Sequence, residues 1–290
     1  MGLRVKFNLA ILVAFLIGFA AAGFILQQRF VDAARGDVLR TARVMMTSAN
    51  AVRHFSATYV APLGAMVTTA KFLPATVPSF AAQTTFKDVQ ASFPDYTYRE
   101  PTLNPTNPVD RATDWEADFV NSFRNRAGLD ELIGERETPT GESLTLARPI
   151  TIKDPECLTC HSTPDRAPAS MISTYGSANG FGWKVNEVIG AQVVSVPMAL
   201  PLAQAQQTFY VFMAILLGVF LLIVIILNVL LHFMVIKPVV KVARIANAVS
   251  LGEADVEEYE KKGSDEISVL SAAFNRMRRS LDSAMKMLEG

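Results

Sequence analysis

The sequence predicts an α+β membrane protein, with an extracytoplasmic domain between two transmembrane helices and a helical cytoplasmic tail behind them. Three observations predict it. Phe7 to Leu26 and Phe209 to Ile236 are long apolar stretches. Between them, Ser143 to Ile152 and Val185 to Val196 alternate and are rich in β-branched residues, the pattern of strands. After the second stretch, Ile267, Leu270, Phe274, Met277, Leu281, Ala284 and Leu288 step by three and four, a heptad a/d seam.

Each apolar stretch reaches the roughly twenty residues needed to cross a bilayer core. Arg4 and Lys6 precede the first, and Lys237, Lys241 and Arg244 follow the second. The positive-inside rule then divides the chain. Residues 1–6 are cytoplasmic, 7–26 and 209–236 cross the membrane, 27–208 lie outside, and 237–290 return to the cytoplasm. The expected location is a bacterial inner membrane, with two passes and both termini inside. The alternative for the first span is a cleaved signal peptide, for which Ala20-Ala21-Ala22-Gly23 offers small residues. Phe24-Ile25-Leu26 extends the apolar run past them and favours an uncleaved anchor. Half the residues are hydrophobic, and 27 basic residues balance 27 acidic ones. The scattered, balanced charge excludes a nucleic-acid partner.

Within the outer region, Phe30 to Tyr59 lacks proline, has glycine only at Gly36, and mixes polar and apolar residues at helical spacing. It continues the first span as a helix. Pro62, Pro74 and Pro78 punctuate the segment behind that helix. Ala81 to Phe93 reads as a second helix and Asp114 to Phe123 as another. Pro101 to Pro108 is too rich in proline for regular structure.

Both cysteines of the chain lie in one pentapeptide, Cys157-Leu158-Thr159-Cys160-His161. C-x-x-C-H is the pattern by which a c-type haem is attached. Two thiols about one helical turn apart add across the vinyl groups, and the histidine supplies the proximal nitrogen to iron. A structural zinc site needs four ligands, and the chain has no second cysteine pair. A redox dithiol gains nothing from the adjacent histidine. A plain disulfide is the remaining alternative outside the cytoplasm. One covalent haem, held by Cys157, Cys160 and His161, is the expectation.

The sixth ligand of the iron decides mechanism. His54, Met45 and Met46 are candidates, all on the long helix after the first span. His54 would give a low-potential bis-histidine site, a methionine would raise the potential, and an open iron would bind a diatomic gas. The ordinary reading of Met45 and Met46 is core filling, and of His54 a surface residue. Arg53, Arg99 and Arg148 are candidate partners for haem propionates, Arg148 foremost. The ordinary reading of each is an ion pair. His232, in the inner part of the second span, is a functional candidate as an ionisable intramembrane group. Its place near the cytoplasmic end, beside Asn228 and before Lys237, favours an interfacial role.

In the tail, Lys237-Pro238 ends the span, and Pro238, Val242, Ile245 and Val249 form a short amphipathic stretch. A polar connector runs from Ser250 to Gly263, with Leu251-Gly252 at its start and Val256 within it. Ser264-Asp265-Glu266 then opens a second helix with capping and dipole-favoured residues. The opening proline, the Leu-Gly, Asp265-Glu266-Ile267 and Ala273-Phe274-Asn275-Arg276-Met277 resemble the HAMP signalling module over Val235 to about Leu288. That resemblance implies a homodimer whose parallel four-helix bundle switches between two packings. An ordinary juxtamembrane coiled coil is the alternative.

The outer region also resembles a known family. Pro94-Asp95-Tyr96-Thr97-Tyr98, Leu103-Asn104-Pro105-Thr106-Asn107-Pro108 and Asp114-Trp115-Glu116 are similar to a bacterial family of membrane-bound c-type haem sensory domains. So are Gly134-Glu135-Arg136 through Ala147-Arg148-Pro149-Ile150, Tyr175-Gly176, Asn179-Gly180-Phe181-Gly182-Trp183 and Val194-Ser195-Val196-Pro197. The resemblance covers about Arg35 to Pro201 and implies a PAS-like fold holding one haem.

The expected protein is a non-enzymatic sensor of redox state or of a diatomic gas, relaying through the tail. No kinase, cyclase or methyl-accepting segment follows Leu288, so the signal is expected to pass to a cytoplasmic partner. The alternative is a membrane-anchored electron-transfer cytochrome, exchanging electrons with a periplasmic donor and dimerised by its tail. A haem peroxidase or reductase needs a distal acid or base beside open iron, and no such pair is recognisable.

Overall fold

The computed structural model describes residues 2–66, 71–251, 253, 257–261 and 263–289. It divides into two compact units, Leu26–Phe209 and the pairing of Met1–Ile25 with Tyr210–Gly290. In chain order the elements are α1 (Leu3–Phe55), α2 (Ala61–Met66), α3 (Pro78–Ser92), β1 (Thr97–Arg99), α4 (Asp114–Asn125), β2 (Leu132–Thr138) and β3 (Gly141–Thr151). There follow α5 (Cys157–His161), α6 (Ala169–Tyr175), β4 (Val188–Pro197), α7 (Ala199–Leu230), α8 (Lys237–Ser250) and α9 (Glu266–Glu289).

In the unit Leu26–Phe209, the described strands form one antiparallel sheet in the order β1-β4-β3-β2. α1 brings Val38, Ala42, Met45, Met46 and Ala49 onto one face, where Leu144, Leu146, Val194 and Val196 meet them. Ala82 and Phe86 of α3 close the same layer. On the other face, Val120 and Phe123 of α4 cover Ala147, Ala191 and Val193. Leu144 through Arg148 therefore lie between two helical layers, and Leu146 and Ala147 are fully buried. Each such large apolar side chain contributes about 1.5–3 kcal/mol by leaving water. Glu116, in the first turn of α4, accepts from both the backbone N–H and the hydroxyl of Thr113 at 2.8 Å, fixing where that helix starts.

The expected helices and strands are all present in this unit. α3 starts at Pro78 rather than Ala81, because proline is well placed at a first helical position, where no N–H is needed. β1, β2 and α6 were not anticipated. β1 is only three residues long, and β2 carries Glu135, Arg136 and Glu137 among few apolar residues. Its alternation of half-buried and exposed positions is therefore faint in sequence.

In the unit formed by Met1–Ile25 and Tyr210–Gly290, two helices are long and apolar enough to cross a membrane. The amides of Asn8 and Asn228 bond reciprocally, at 3.0 and 2.8 Å, and Phe15 stacks on Phe220 with centroids 3.5 Å apart. α7 passes through a π-helical turn, Leu231–Ile236, before α8. His232 lies in that turn, with its Nδ1 buried and without a hydrogen bond among the described residues. Pro238, Val242 and Ile245 are the buried face of α8. Asp265 caps α9 by accepting from the Ser268 N–H at 2.7 Å and its hydroxyl at 2.6 Å. Lys261, then these Ser268 bonds, hold the Asp265 carboxyl well below its ordinary range. Gly252 and Val256 of the expected connector lie outside the described residues, as does the side chain of Leu288.

Candidate metal centre

The C-x-x-C-H segment folds as the single turn α5. Asp154 starts it: its carboxylate accepts from Glu156 N–H at 2.9 Å and its carbonyl from Cys157 N–H at 3.2 Å. Ser162 N–H closes the turn on the Leu158 carbonyl at 3.1 Å. Residues three apart share a helix face, so both thiols belong to one side. Both are free; Cys157 is exposed and Cys160 half-buried. Burial and then the Asp154 carboxylate push the Cys157 thiol up, while burial and then Cys157 raise Cys160. These are protonated thiols at neutral pH, unlike the low-pKa cysteine of a redox dithiol. Among the described residues no three His, Cys, Asp or Glu side chains converge on a point that would hold a metal ion. A compact zinc site does not fit; donors spread around a larger group do.

His161 is held by its surroundings. Its Nδ1 lies 2.8 Å from the Gly180 carbonyl, so Nδ1–H donates and Nε2 keeps its lone pair. The Trp183 indole stacks on the imidazole with centroids 3.9 Å apart and planes 15° apart. Burial depresses the His161 pKa against the Gly180 bond, keeping the ring neutral. A neutral, oriented imidazole with a free Nε2 is what iron ligation requires.

The loop behind His161 is fastened from two sides. Gly182 and Trp183 N–H donate to the Ser162 and His161 carbonyls at 2.9 and 3.2 Å. Asn104 grips the same loop, accepting from Gly180 N–H at 3.2 Å and donating to the Phe181 carbonyl at 3.3 Å. Gly180 has φ +82°, and a Cβ there would fall 2.0 Å from Thr106 Oγ1 and 2.8 Å from Thr106 Cα. Only glycine permits both that conformation and that approach.

A buried polar network lies on the α1 face of the sheet. Arg53 is ion-paired with Glu100, which is 2% exposed. Tyr98 Oη donates to Glu100 at 2.7 Å, and Gln192 donates to Tyr98 Oη and Asn50 at 2.9 and 2.8 Å. Burial and the Glu100 carboxylate hold the Tyr98 phenol far above its ordinary range, so it stays a donor.

The other expected site residues fall elsewhere. Met46 is fully buried and Met45 9% exposed, both packed in the core between α1 and the sheet. His54 is exposed, next in sequence to Arg53, with Nδ1 3.5 Å from Thr58 Oγ1. Only Phe55 separates it from the π-helical turn Ser56–Val60, a local widening that recurs at functional sites. Arg148 is committed to Glu131 through Nε and Nη2, at 3.1 and 2.8 Å, and Arg99 pairs with Glu116 at 3.3 Å. Glu100, Gln192 and Asn50 were not singled out from sequence, because polar residues in a strand or helix read as solvent-facing.

Comparison with known proteins agrees with this architecture. The Tll0287-like family model matches residues 28–197, and the HAMP domain model matches residues 230–283. No curated protein matches the chain. Among solved structures, the cyanobacterial heme-protein Tll0287 is 20% identical, with a TM-score of 0.43. That match covers 55% of this chain and 94% of the other. The chain belongs to the Tll0287-like family, with a HAMP domain following its family region.

Proposed function

We propose that the chain is a membrane-bound signal-transduction protein whose PAS-like outer domain carries one covalent haem c and relays its state through HAMP. The observation that carries this reading is the His161 arrangement: Nδ1 spent on Gly180, Nε2 free, and two thiols on one face of the preceding turn. Bound there, the haem supplies either a reversible one-electron centre or an iron that takes a diatomic gas. Cys157 and Cys160 anchor it. His161 ligates iron, the Gly180 carbonyl sets the imidazole's tautomer, and Trp183 holds its plane. His54 is the favoured distal candidate, because Met45 and Met46 are used by the core. Arg148 is engaged by Glu131 and Arg53 by Glu100, so either would have to share or exchange that partner to hold a propionate.

The proposed topology keeps residues 1–6 and 237–290 in the cytoplasm, 7–26 and 209–236 in the membrane, and 27–208 in the periplasm. Basic residues at the inner ends of both spans support it. A homodimer through HAMP is supported by the α9 seam, where Leu270, Met277 and Leu281 are 46%, 62% and 51% exposed in one chain. A second copy would cover that stripe. Through HAMP, the proposed relay hands the signal to a cytoplasmic partner.

The test is spectroscopic: optical and resonance Raman spectra of the full chain, oxidised and reduced, with and without CO and NO. Denaturing electrophoresis with haem staining reports the covalent link. A six-coordinate haem indifferent to gas supports redox sensing. A five-coordinate reduced haem that binds gas supports gas sensing. No covalent haem overturns the reading. Rapid electron exchange with a periplasmic donor, unaffected by deleting HAMP, favours an electron-carrying cytochrome instead.

A further inference from the structure

The sheet face opposite α1 is only partly covered by α4, and its open end forms a cavity of about 210 Å³. The alternation of β1 puts Thr97 and Arg99 on this face and Tyr98 on the other. Ser195 lies opposite Thr97 in the register, and Ser143 lies opposite Arg136. Hydroxyls thus line a surface that a packed sheet would furnish with Val, Ile or Leu. All of these residues line the cavity, with Trp115 as one wall.

The charges in the cavity are unequally spent. Arg99 is neutralised by Glu116, whose Oε1 is fully buried at 3.3 Å from Arg99 Nη1. Arg136 is different. Its guanidinium carbon sits over the Trp115 ring, 3.8 Å from the centroid. It has no carboxylate partner and no hydrogen bond among the described residues, although it is half-buried. A half-buried guanidinium whose donors are unspent, held by an aromatic face amid hydroxyls, is prepared for a planar anion. A carboxylate matches its fork with two parallel bonds. Asp95 also lines the cavity, and its charge opposes a ligand with several negative groups while accepting from a hydroxyl or ammonium.

We propose that this cavity is a second ligand site, taking a small monocarboxylate that carries a hydroxyl or amino group through the Arg136 guanidinium. It does not rest on the haem reading, since it shares no residue with the C-x-x-C-H turn. It does share a strand with the polar network: β1 presents Arg99 to the cavity and Tyr98 to the Glu100 carboxylate. Occupancy therefore bears on the strand whose Tyr98 donates to Glu100, the partner of Arg53.

The test is isothermal titration of the full chain in detergent with lactate and with serine, using malate and inorganic phosphate for comparison. Saturable binding of lactate or serine is expected, weakened about tenfold or more by Arg136→Gln. Thr97→Val keeps the volume and the β-branch but removes a hydroxyl, and it should weaken binding severalfold even if Arg136→Gln misfolds. The proposal is overturned if neither lactate nor serine binds, if phosphate or malate binds better, or if both variants bind as tightly as the parent.

Discussion

Arg53 on α1 and Glu100 beyond β1 form an ion pair whose carboxylate is almost wholly enclosed. Removing one member of such a pair leaves an uncompensated charge out of water, which costs about 3–5 kcal/mol. Glu100→Ala should therefore destabilise the unit Leu26–Phe209 by that amount, read as a lower urea midpoint in the purified chain. It also strips Tyr98 Oη of its acceptor. Arg53→Met combined with Glu100→Gln should recover much of the loss, because no buried charge is then left alone. A midpoint unchanged by Glu100→Ala would mean that water reaches Arg53 freely.

α1, α3, α4 and both long strands were legible in sequence, because their patterns are sustained over many residues. β1 was not: Thr97-Tyr98-Arg99 is too short for alternation to register, and its partner Ser195 is nearly a hundred residues away. The site was legible where chemistry is local. Cys157, Cys160 and His161 are adjacent, in the order that the proposed haem attachment would need. The setting of His161 was not local. Gly180, Asn104 and Thr106 reach it only through the fold, so their roles become physical once φ at Gly180 and its distance to Thr106 are known. Arg148 illustrates the converse. Its sequence context invited an anionic partner, and the fold supplies Glu131.

Gly180→Ala should disturb His161, the proposed iron ligand, more than the fold. The added methyl would meet both the hydroxyl and the backbone of Thr106, and the φ of +82° disfavours any side chain. A strained backbone of this kind costs about 1–3 kcal/mol. The loop must move, taking the Gly180 carbonyl away from His161 Nδ1. The expected outcome is a shifted iron–histidine stretching band by resonance Raman. Thr106→Gly should not rescue it, since the Thr106 Cα is itself 2.8 Å from the new carbon. An unshifted band would detach Gly180 from the control of His161.

Glu131 binds two elements, accepting from Arg43 of α1 at 2.8 Å and from Arg148 of β3 at 2.8 Å. Burial works to raise its pKa, but the Arg43 and Arg148 bonds outweigh it and hold the carboxyl below its ordinary range. The folded pKa lies below the unfolded one. Its stabilisation is therefore complete above the unfolded value and is lost as pH falls through the folded value. Glu131→Gln should lower the urea midpoint near neutrality and have little effect at an acid pH below the folded value, where the parent carboxylate is protonated in both states. Equal losses at both pH values would assign the effect to packing.

The sharpest separation of sensor from electron carrier lies in the potential of the haem proposed at His161. If HAMP packing and haem oxidation state are coupled, each must shift the other by the same free energy. A tenfold bias of the HAMP equilibrium on reduction then requires potentials about 59 mV apart in the two packings. Met277 and Leu281 are half or more exposed along α9, on the seam a second copy would cover. Met277→Glu with Leu281→Glu should unseat that pairing without touching the outer domain. Spectroelectrochemical titration of the variant, reconstituted in bilayers, should then give a midpoint displaced from the parent by tens of millivolts. A variant that is monomeric yet keeps the parent potential would show that the tail does not read the haem, leaving HAMP as a dimerising anchor.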